Sequence, residues 1–143
     1  MYPNSTKTPQ AITAADRAAF DNAMGAIRAE HAVMRDLATF ASQRPAFWAD
    51  YTMSLADTML AHESAEARLF DLPFVSRPPD SIASTAERAR QRCIEYTSGS
   101  FHVPDAHAAA ALFIDALLTH LAVEDAWLNK EDEHQKDRLR TIA

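Results

Sequence analysis

The chain contains few of the residues that tight turns and disulfide bonds require. Among its 143 residues there are only two glycines, Gly25 and Gly99, and a single cysteine, Cys93. A sheet protein with many tight turns would need more glycine, so the composition favours an all-helical fold. A single cysteine excludes an intrachain disulfide and any cysteine-rich zinc site.

Concentrated positive charge and long apolar runs are also missing. The net charge is −6 and no cluster of lysine and arginine stands out, which argues against a nucleic-acid-binding groove. The N-terminal residues contain no apolar core of a signal peptide, and no apolar run approaches the length of a membrane span. We therefore expect a cytoplasmic protein that binds neither nucleic acid nor membrane.

What the chain does contain suits one soluble globular domain. Hydrophobic residues make up 48% of it and charged residues 24%, and the length is sufficient to bury a core. We expect a flexible N-terminal arm over residues 1–12, a helical domain over 13–128 and a polar C-terminal extension over 129–143. Because the extension is polar on every side, any helix that continues into it should be solvated or frayed.

Apolar residues recur at three- and four-residue intervals and predict four amphipathic helices. Their expected ranges are about 13–42, 45–71, 84–98 and 103–128. Thr13 with Asp16 is typical of a helix start, Ser84 to Glu87 has the capping-box pattern, and Gly99 is a candidate left-handed cap. Short loops between such helices predict an all-α, up-down-up-down antiparallel four-helix bundle.

Ionisable residues interrupt the apolar seams of three predicted helices. The first helix carries His31, the second carries His62 with Glu66 one turn later, and the fourth carries His120 with Glu124. Each lies near the middle of its helix, and mid-helix positions of an antiparallel bundle meet at one level. The other histidines lie about 20–27 Å along the axis from His120 and are predicted surface or loop residues: His102, His107 and His134.

Two interpretations of this cluster are open. A single histidine on an apolar helix face is usually a hydrogen-bonded core residue. Three seam histidines with two carboxylates would, however, bury several polar groups with no seam lysine or arginine to balance them. A metal ion removes that penalty, and bundle cores are where histidine and carboxylate sites for iron and manganese are built. The coincidence on three helices favours a metal site.

These residues resemble a known family. His31, the segment His62-Glu63-Ser64-Ala65-Glu66-Ala67-Arg68-Leu69-Phe70 and the segment His120-Leu121-Ala122-Val123-Glu124-Asp125 are similar to the hemerythrin-like, or HHE cation-binding, domain over about residues 14–128. The resemblance implies a four-helix bundle that holds two non-haem irons bridged by carboxylates.

The resemblance also implies roles for individual residues. One iron would take His31 and His62, with Glu66 as a bridge, and the second iron would take His120. Either Glu124 or Asp125 would supply the second bridge, and Glu124 is preferred because it stays on the His120 face. Some family members also use the residue that corresponds to Glu63 as a ligand.

The third helix departs from the family pattern. The family expects one or two histidines there, and residues 80–98 contain none. Glu87 could substitute, although its spacing from Ser84 favours a capping role, and Cys93 in the seam favours a small buried apolar residue. A mononuclear site, a carboxylate-richer dinuclear site and a different metal such as zinc or manganese therefore all stay open.

The predicted function is a non-haem iron protein that binds or senses O₂, NO or peroxide in the bundle core. Apolar residues should line the ligand pocket and keep water out: Phe20, Met24, Ile27, Met59, Leu117 and Trp127. One alternative is an oxidising di-metal enzyme with ferroxidase or peroxide-reducing activity. The other is a metal-degenerate helical bundle that acts through protein contacts. The sequence specifies no oligomeric state.

Overall fold

The protein is all-helical over the residues that the computed structural model describes, which are 12–99 and 103–142. Its four α-helices are α1 (Ala14–Gln43), α2 (Trp48–Phe70), α3 (Asp80–Ser98) and α4 (Val103–Ile142), and a 3-10 turn (Pro45–Phe47) precedes α2. No strand occurs within these ranges, so the predicted all-α class is confirmed. The predicted arm lies outside the described residues except for Ile12, which is buried.

The start of α1 follows from its first residues. Thr13 Oγ1 accepts a hydrogen bond from the Asp16 backbone N–H at 3.0 Å, and the Asp16 carboxylate accepts one from the Thr13 N–H at 3.0 Å. This reciprocal pair is a capping box, and it satisfies two backbone donors that a helix start leaves free. The helix start predicted from Thr13 and Asp16 is confirmed.

The boundaries of α3 differ from the prediction. The helix begins at Asp80 after an extended Pro79, four residues before the expected start, and places an acidic residue in its first turn. Ser84 is therefore already inside the helix, and Glu87 forms an ion pair with Arg90 instead of a capping box. Gly99 has φ −80° and ψ 145°, an extended conformation and not a left-handed cap.

Two apolar clusters make up the core, and a polar layer separates them. The first cluster contains Met34, Ala38, Leu55, Ala56, Met59, Ala89, Cys93, Phe113, Ala116, Leu117 and Leu121. The second contains Phe20, Ala23, Met24, Ile27, Ala65, Leu69, Val75 and Leu128. Each large side chain buried in them contributes about 1.5–3 kcal/mol to stability. The histidine-bearing turns of α1, α2 and α4 lie between the two clusters.

The C-terminal part of α4 makes more contacts with the rest of the protein than its polar sequence predicts. Glu131 and Gln135 are buried, and Glu131 accepts a hydrogen bond at 2.9 Å from the Ser76 N–H in the loop between α2 and α3. Gln135 and Arg138 both donate to the Phe74 carbonyl oxygen. The helix end therefore holds this loop, which differs from the expected solvated or frayed extension.

The length and composition of α4 also differ from expectation. Its segment Asp105–Arg138 is long and apolar enough, by these two criteria alone, to cross a membrane. The core helix of a soluble protein passes the same test, and α4 contributes to both apolar clusters. The cytoplasmic location stays a prediction.

Candidate metal centre

Three histidine rings and two carboxylates meet in the polar layer. His31 comes from α1, His62 and Glu66 come from α2, and His120 and Glu124 come from α4. The three imidazole side chains are 1–4% exposed, Glu124 is 0% exposed and Glu66 is 13% exposed. Within each of α2 and α4 the acid follows the histidine by one turn, which places both on the inward face.

His31, His62 and one oxygen of Glu124 form the first donor group. His31 Nε2 lies 2.8 Å from Glu124 Oε1, and His62 Nε2 lies 3.0 Å from the same oxygen. The two Nε2 atoms are 3.3 Å apart. Three donor atoms from three helices therefore lie within one small triangle.

His120, Glu66 and the other oxygen of Glu124 form the second donor group. His120 Nε2 lies 3.1 Å from Glu66 Oε2 and 3.6 Å from Glu124 Oε2. Ligand atoms from His62, Glu66, His120 and Glu124 all lie within 4.8 Å of one another. Because the oxygens of Glu124 face different groups, this carboxylate spans both.

Outer carboxylates orient the first two imidazoles. His31 Nδ1 lies 2.6 Å from Asp125 Oδ1, and His62 Nδ1 lies 2.8 Å from Glu30 Oε1. A carboxylate in this position accepts the Nδ1 proton, so the neutral ring presents the lone pair of Nε2 inward. Histidines that bind metals are held in this way.

A hydroxyl orients the third imidazole. Thr85 Oγ1 lies 2.9 Å from His120 Nδ1 and also donates to the Ser81 carbonyl oxygen at 2.7 Å. Since a hydroxyl has one proton to donate, Thr85 accepts from the Nδ1–H of His120. In all three rings, the Nε2 atom therefore points into the polar layer between the two apolar clusters.

Without a metal ion, the pKa values of His62 and Glu66 are raised, so both side chains bind protons more tightly than they would in water. Burial opposes the charging of His62, but hydrogen bonds to Glu124 and Glu30 and the charge of Glu66 outweigh it and raise the pKa of His62 to about 9. Burial, helped by the neighbouring Glu124 carboxylate, raises the pKa of Glu66 to about 7 against the opposing hydrogen bond from His120. For Glu124, hydrogen bonds from His31 and His62 overcome burial and lower the pKa.

Hydrogen bonds alone do not give every buried polar atom of this cluster a suitable partner. Glu124 Oε2 is buried and, while Glu66 is ionised, has no hydrogen-bond partner among the described residues. The Nε2 atoms of His31 and His62 face each other at 3.3 Å, and both cannot carry a proton along that line without repulsion. A cation between the donors would engage all of these atoms at once.

The donor spacings fit metal coordination. Bonds of about 2.1 Å place neighbouring ligand atoms roughly 3.0 Å apart at right angles and roughly 3.4 Å apart in a tetrahedron. The measured separations within the two donor groups run from 2.8 to 3.6 Å. This buried histidine and glutamate group could hold a metal ion.

Two other predicted ligands lie outside the donor groups. Asp125 binds the outer nitrogen of His31 and also accepts from Arg35. Glu63 is 39% exposed and pairs with Arg90 at 2.9 Å. The structure thus brings His31, His62, Glu66, His120 and Glu124 together and places Asp125 and Glu63 around them.

The remaining histidines and the third helix contribute no donor atom to the groups. His107 and His134 are exposed, and His102 is outside the described residues. Cys93 is buried in the first apolar cluster, where burial raises the pKa of its thiol. Toward the donors α3 presents Ala86 and Ala89, which line a small space next to Glu66.

Sequence reasoning missed Glu30 and Thr85. Glu30 directly precedes His31 and lies on the edge of α1 that faces α2, a placement that the sequence pattern does not give. Thr85 lies within the segment read as a helix start, which hid its role as an inward-facing residue of α3.

No protein-family model, curated protein or solved structure matches the chain.

Proposed function

We propose that this protein binds one or two non-haem iron ions in the polar layer and, through them, a small ligand such as O₂, NO or peroxide. The observation that carries the proposal is that three Nε2 atoms and two carboxylates converge while an outer acceptor holds every Nδ1. Buried ionisable groups need a partner, and a bound cation supplies one for the whole cluster.

The donor types support iron over calcium or magnesium. The first group offers two imidazoles and one carboxylate oxygen, a set typical of non-haem ferrous sites. The second group offers one imidazole, His120, and two carboxylate oxygens. Glu124 spans both groups, which supports a carboxylate-bridged pair of ions. Zinc and manganese fit the same donors.

We also propose the up-down-up-down antiparallel arrangement and membership of the hemerythrin-like family. Along α1 the second apolar cluster precedes His31 and the first follows it, whereas α2 passes the clusters in the opposite order around His62. In α4, as in α2, the residues of the first cluster come before the residue of the second, Leu128. Opposite directions of α1 and α2, with α4 running as α2 does, support an antiparallel bundle, and the ligand order matches the resemblance given above.

The chain's own residues would provide a dry and rigid site. Apolar clusters lie above and below the donors, and five of the six pocket residues predicted from the sequence are buried: Phe20, Met24, Ile27, Met59 and Leu117. Glu30, Thr85 and Asp125 keep the three rings turned inward. Ferrous iron bound here would supply the affinity for a diatomic or peroxide ligand, and the apolar walls would exclude water.

An anaerobic titration of chelator-treated protein with Fe²⁺ tests the proposal. We expect saturation at one or two equivalents, followed by a new near-ultraviolet absorption on exposure to O₂ or NO. His62→Ala should weaken Fe²⁺ binding by more than about tenfold, because even the loss of an outer partner of a ligand costs that much. His134→Ala, on the exposed face of α4, is the matched control and should bind like the unchanged protein.

The outcomes separate three functions. No binding of Fe²⁺, Zn²⁺ or Mn²⁺ at micromolar concentration would contradict the proposal and favour a bundle that acts through protein contacts. Binding with stoichiometric uptake of O₂ or NO supports a binding or sensing protein. The oxygen-rich second group favours an oxidising enzyme as the second candidate, and repeated turnover of peroxide by the iron-loaded protein would identify it.

A further inference from the structure

A cleft between α2 and α3 leads from the surface to the donor groups. It has a volume of about 620 Å³, and Glu66 is the donor that lines it. Glu66 is also the most exposed of the five donors, at 13% against 0–4% for the others. Glu63, Glu66 and Ala86 also line a second, smaller space of about 10 Å³, which touches His62 and His120. This space has room for about one water-sized particle.

A second cleft touches the donor residue His31 beside the partner of its Nδ1 atom. It lies between α1 and α4 and meets His31 together with Arg35 and Asp125. Those two residues close off the Nδ1 side of the ring through an ion pair and a hydrogen bond. The α2–α3 cleft is therefore the better route to the Nε2 atoms and carboxylate oxygens.

The charge of the α2–α3 cleft suits a cation. Four carboxylates line it, from Glu63, Glu66, Asp80 and Glu87, against two guanidinium groups, from Arg77 and Arg90. A cleft lined by an excess of one charge raises the local concentration of counter-ions. The excess of carboxylates over guanidinium groups makes this cleft negative.

Arg90 lines this cleft and links α2 to α3 across it. Its Nε and Nη2 donate to Glu63 Oε2 at 3.2 and 2.9 Å, and its Nη1 donates to Glu87 Oε2 at 2.6 Å. These pairs share the single positive charge of Arg90 between two of the four carboxylates and join α2 to α3. Arg90 is 39% exposed, and ion pairs at that exposure are weak enough to open readily.

We propose that the α2–α3 cleft is the route by which a divalent cation enters and leaves the centre, and that Arg90 is its gate. When the guanidinium swings away, Glu63 and Glu87 are freed to receive the incoming ion and pass it to Glu66. The small side chains of Ala83 and Ala86 keep the route open beneath the gate. This inference rests on the proposed metal binding.

Zinc exchange measured by stopped flow tests the gate. Protein loaded with Zn²⁺ is mixed with excess chromogenic chelator, and the rate of metal release is recorded. Arg90→Ala should release Zn²⁺ roughly fivefold faster with unchanged capacity, because the loss of an exposed ion pair lowers only a small barrier. Arg92→Ala is the matched control, since Arg92 forms an i,i+3 pair with Glu95 on the same helix but does not line the cleft.

A filled cleft should have the opposite effect. Ala83→Phe, at an exposed position that lines the cleft, should slow release by roughly threefold or more, whereas Ser84→Phe on the neighbouring exposed position should not. Circular dichroism confirms that both variants are folded. Equal release rates for Arg90→Ala, Arg92→Ala and Ala83→Phe would overturn the gate. Absence of Zn²⁺ binding in every variant would instead contradict the proposed function.

Discussion

Replacing Glu124 with glutamine is expected to weaken metal binding by more than about a hundredfold, because the loss of outer partners alone costs ten- to a hundredfold. The two oxygens of Glu124 face different donor groups, one at 2.8 Å from His31 Nε2 and the other at 3.6 Å from His120 Nε2. Glutamine keeps the shape but removes the charge and replaces one acceptor oxygen with a donor. Isothermal titration with Zn²⁺ measures the affinity.

The same substitution should also destabilise the metal-free protein. Glu124 is fully buried and accepts hydrogen bonds from His31 and His62, so glutamine leaves these imidazoles without the negative charge that stabilises their protonated forms. Breaking a buried charged pair of this kind costs roughly 3–5 kcal/mol. Glu133→Gln, at an exposed position of the same helix, is the matched control. Unchanged affinity and stability in Glu124→Gln would show that this carboxylate does not hold the centre together.

The stability of the metal-free protein is expected to fall as pH rises from about 5 to 9. The pKa of His62 is raised from 6.5 to about 9, so its contribution is fully present below pH 6.5 and is lost as pH rises through 9. The pKa of Glu66 is raised from 4.5 to about 7, so the folded state favours its protonated form and loses that contribution as pH rises through 7. His62 alone accounts for roughly 3 kcal/mol.

Two further effects of pH concern the ionisation of Glu124 and the binding of a metal ion. The lowered pKa of Glu124 contributes stability above pH 4.5 that is lost under more acidic conditions. A metal ion displaces the same protons, so its affinity should rise with pH and its binding should release about one proton at pH 8. Urea denaturation at several pH values, with and without Zn²⁺, measures both trends. A metal-free protein that becomes more stable between pH 6 and 9 would refute the account, and His62→Gln should flatten the decline.

Local patterns in the sequence predicted the fold class and the inward-facing histidines. Apolar spacing fixes which face of a helix is buried, so His31, His62 and His120 could be assigned to the interior before any coordinates were known. The capping box of Thr13 and Asp16 is equally local, since both of its hydrogen bonds span three residues. Such features depend only on residues that are close in the chain.

Features that depend on distant parts of the chain were not predicted. The pairing of Glu30 with His62 depends on how α1 is rotated against α2, and periodicity does not give that rotation. Burial of Glu131 arises because the loop after α2 returns to α4 and donates the Ser76 N–H. The start of α3 was misplaced because a capping-box pattern also occurs inside helices, where Ser84 and Glu87 lie.

Anomalous X-ray diffraction from crystals grown with Fe²⁺ or Zn²⁺, recorded on both sides of the metal absorption edge, tests the central claim most directly. The account predicts one or two strong peaks in the polar layer, each about 2.0–2.3 Å from its nitrogen and oxygen ligands. A single peak beside His31 and His62 indicates one ion, and a second beside His120 indicates a bridged pair. Peaks confined to the protein surface, with the three rings hydrogen-bonded only to one another and to protein acids, would contradict it.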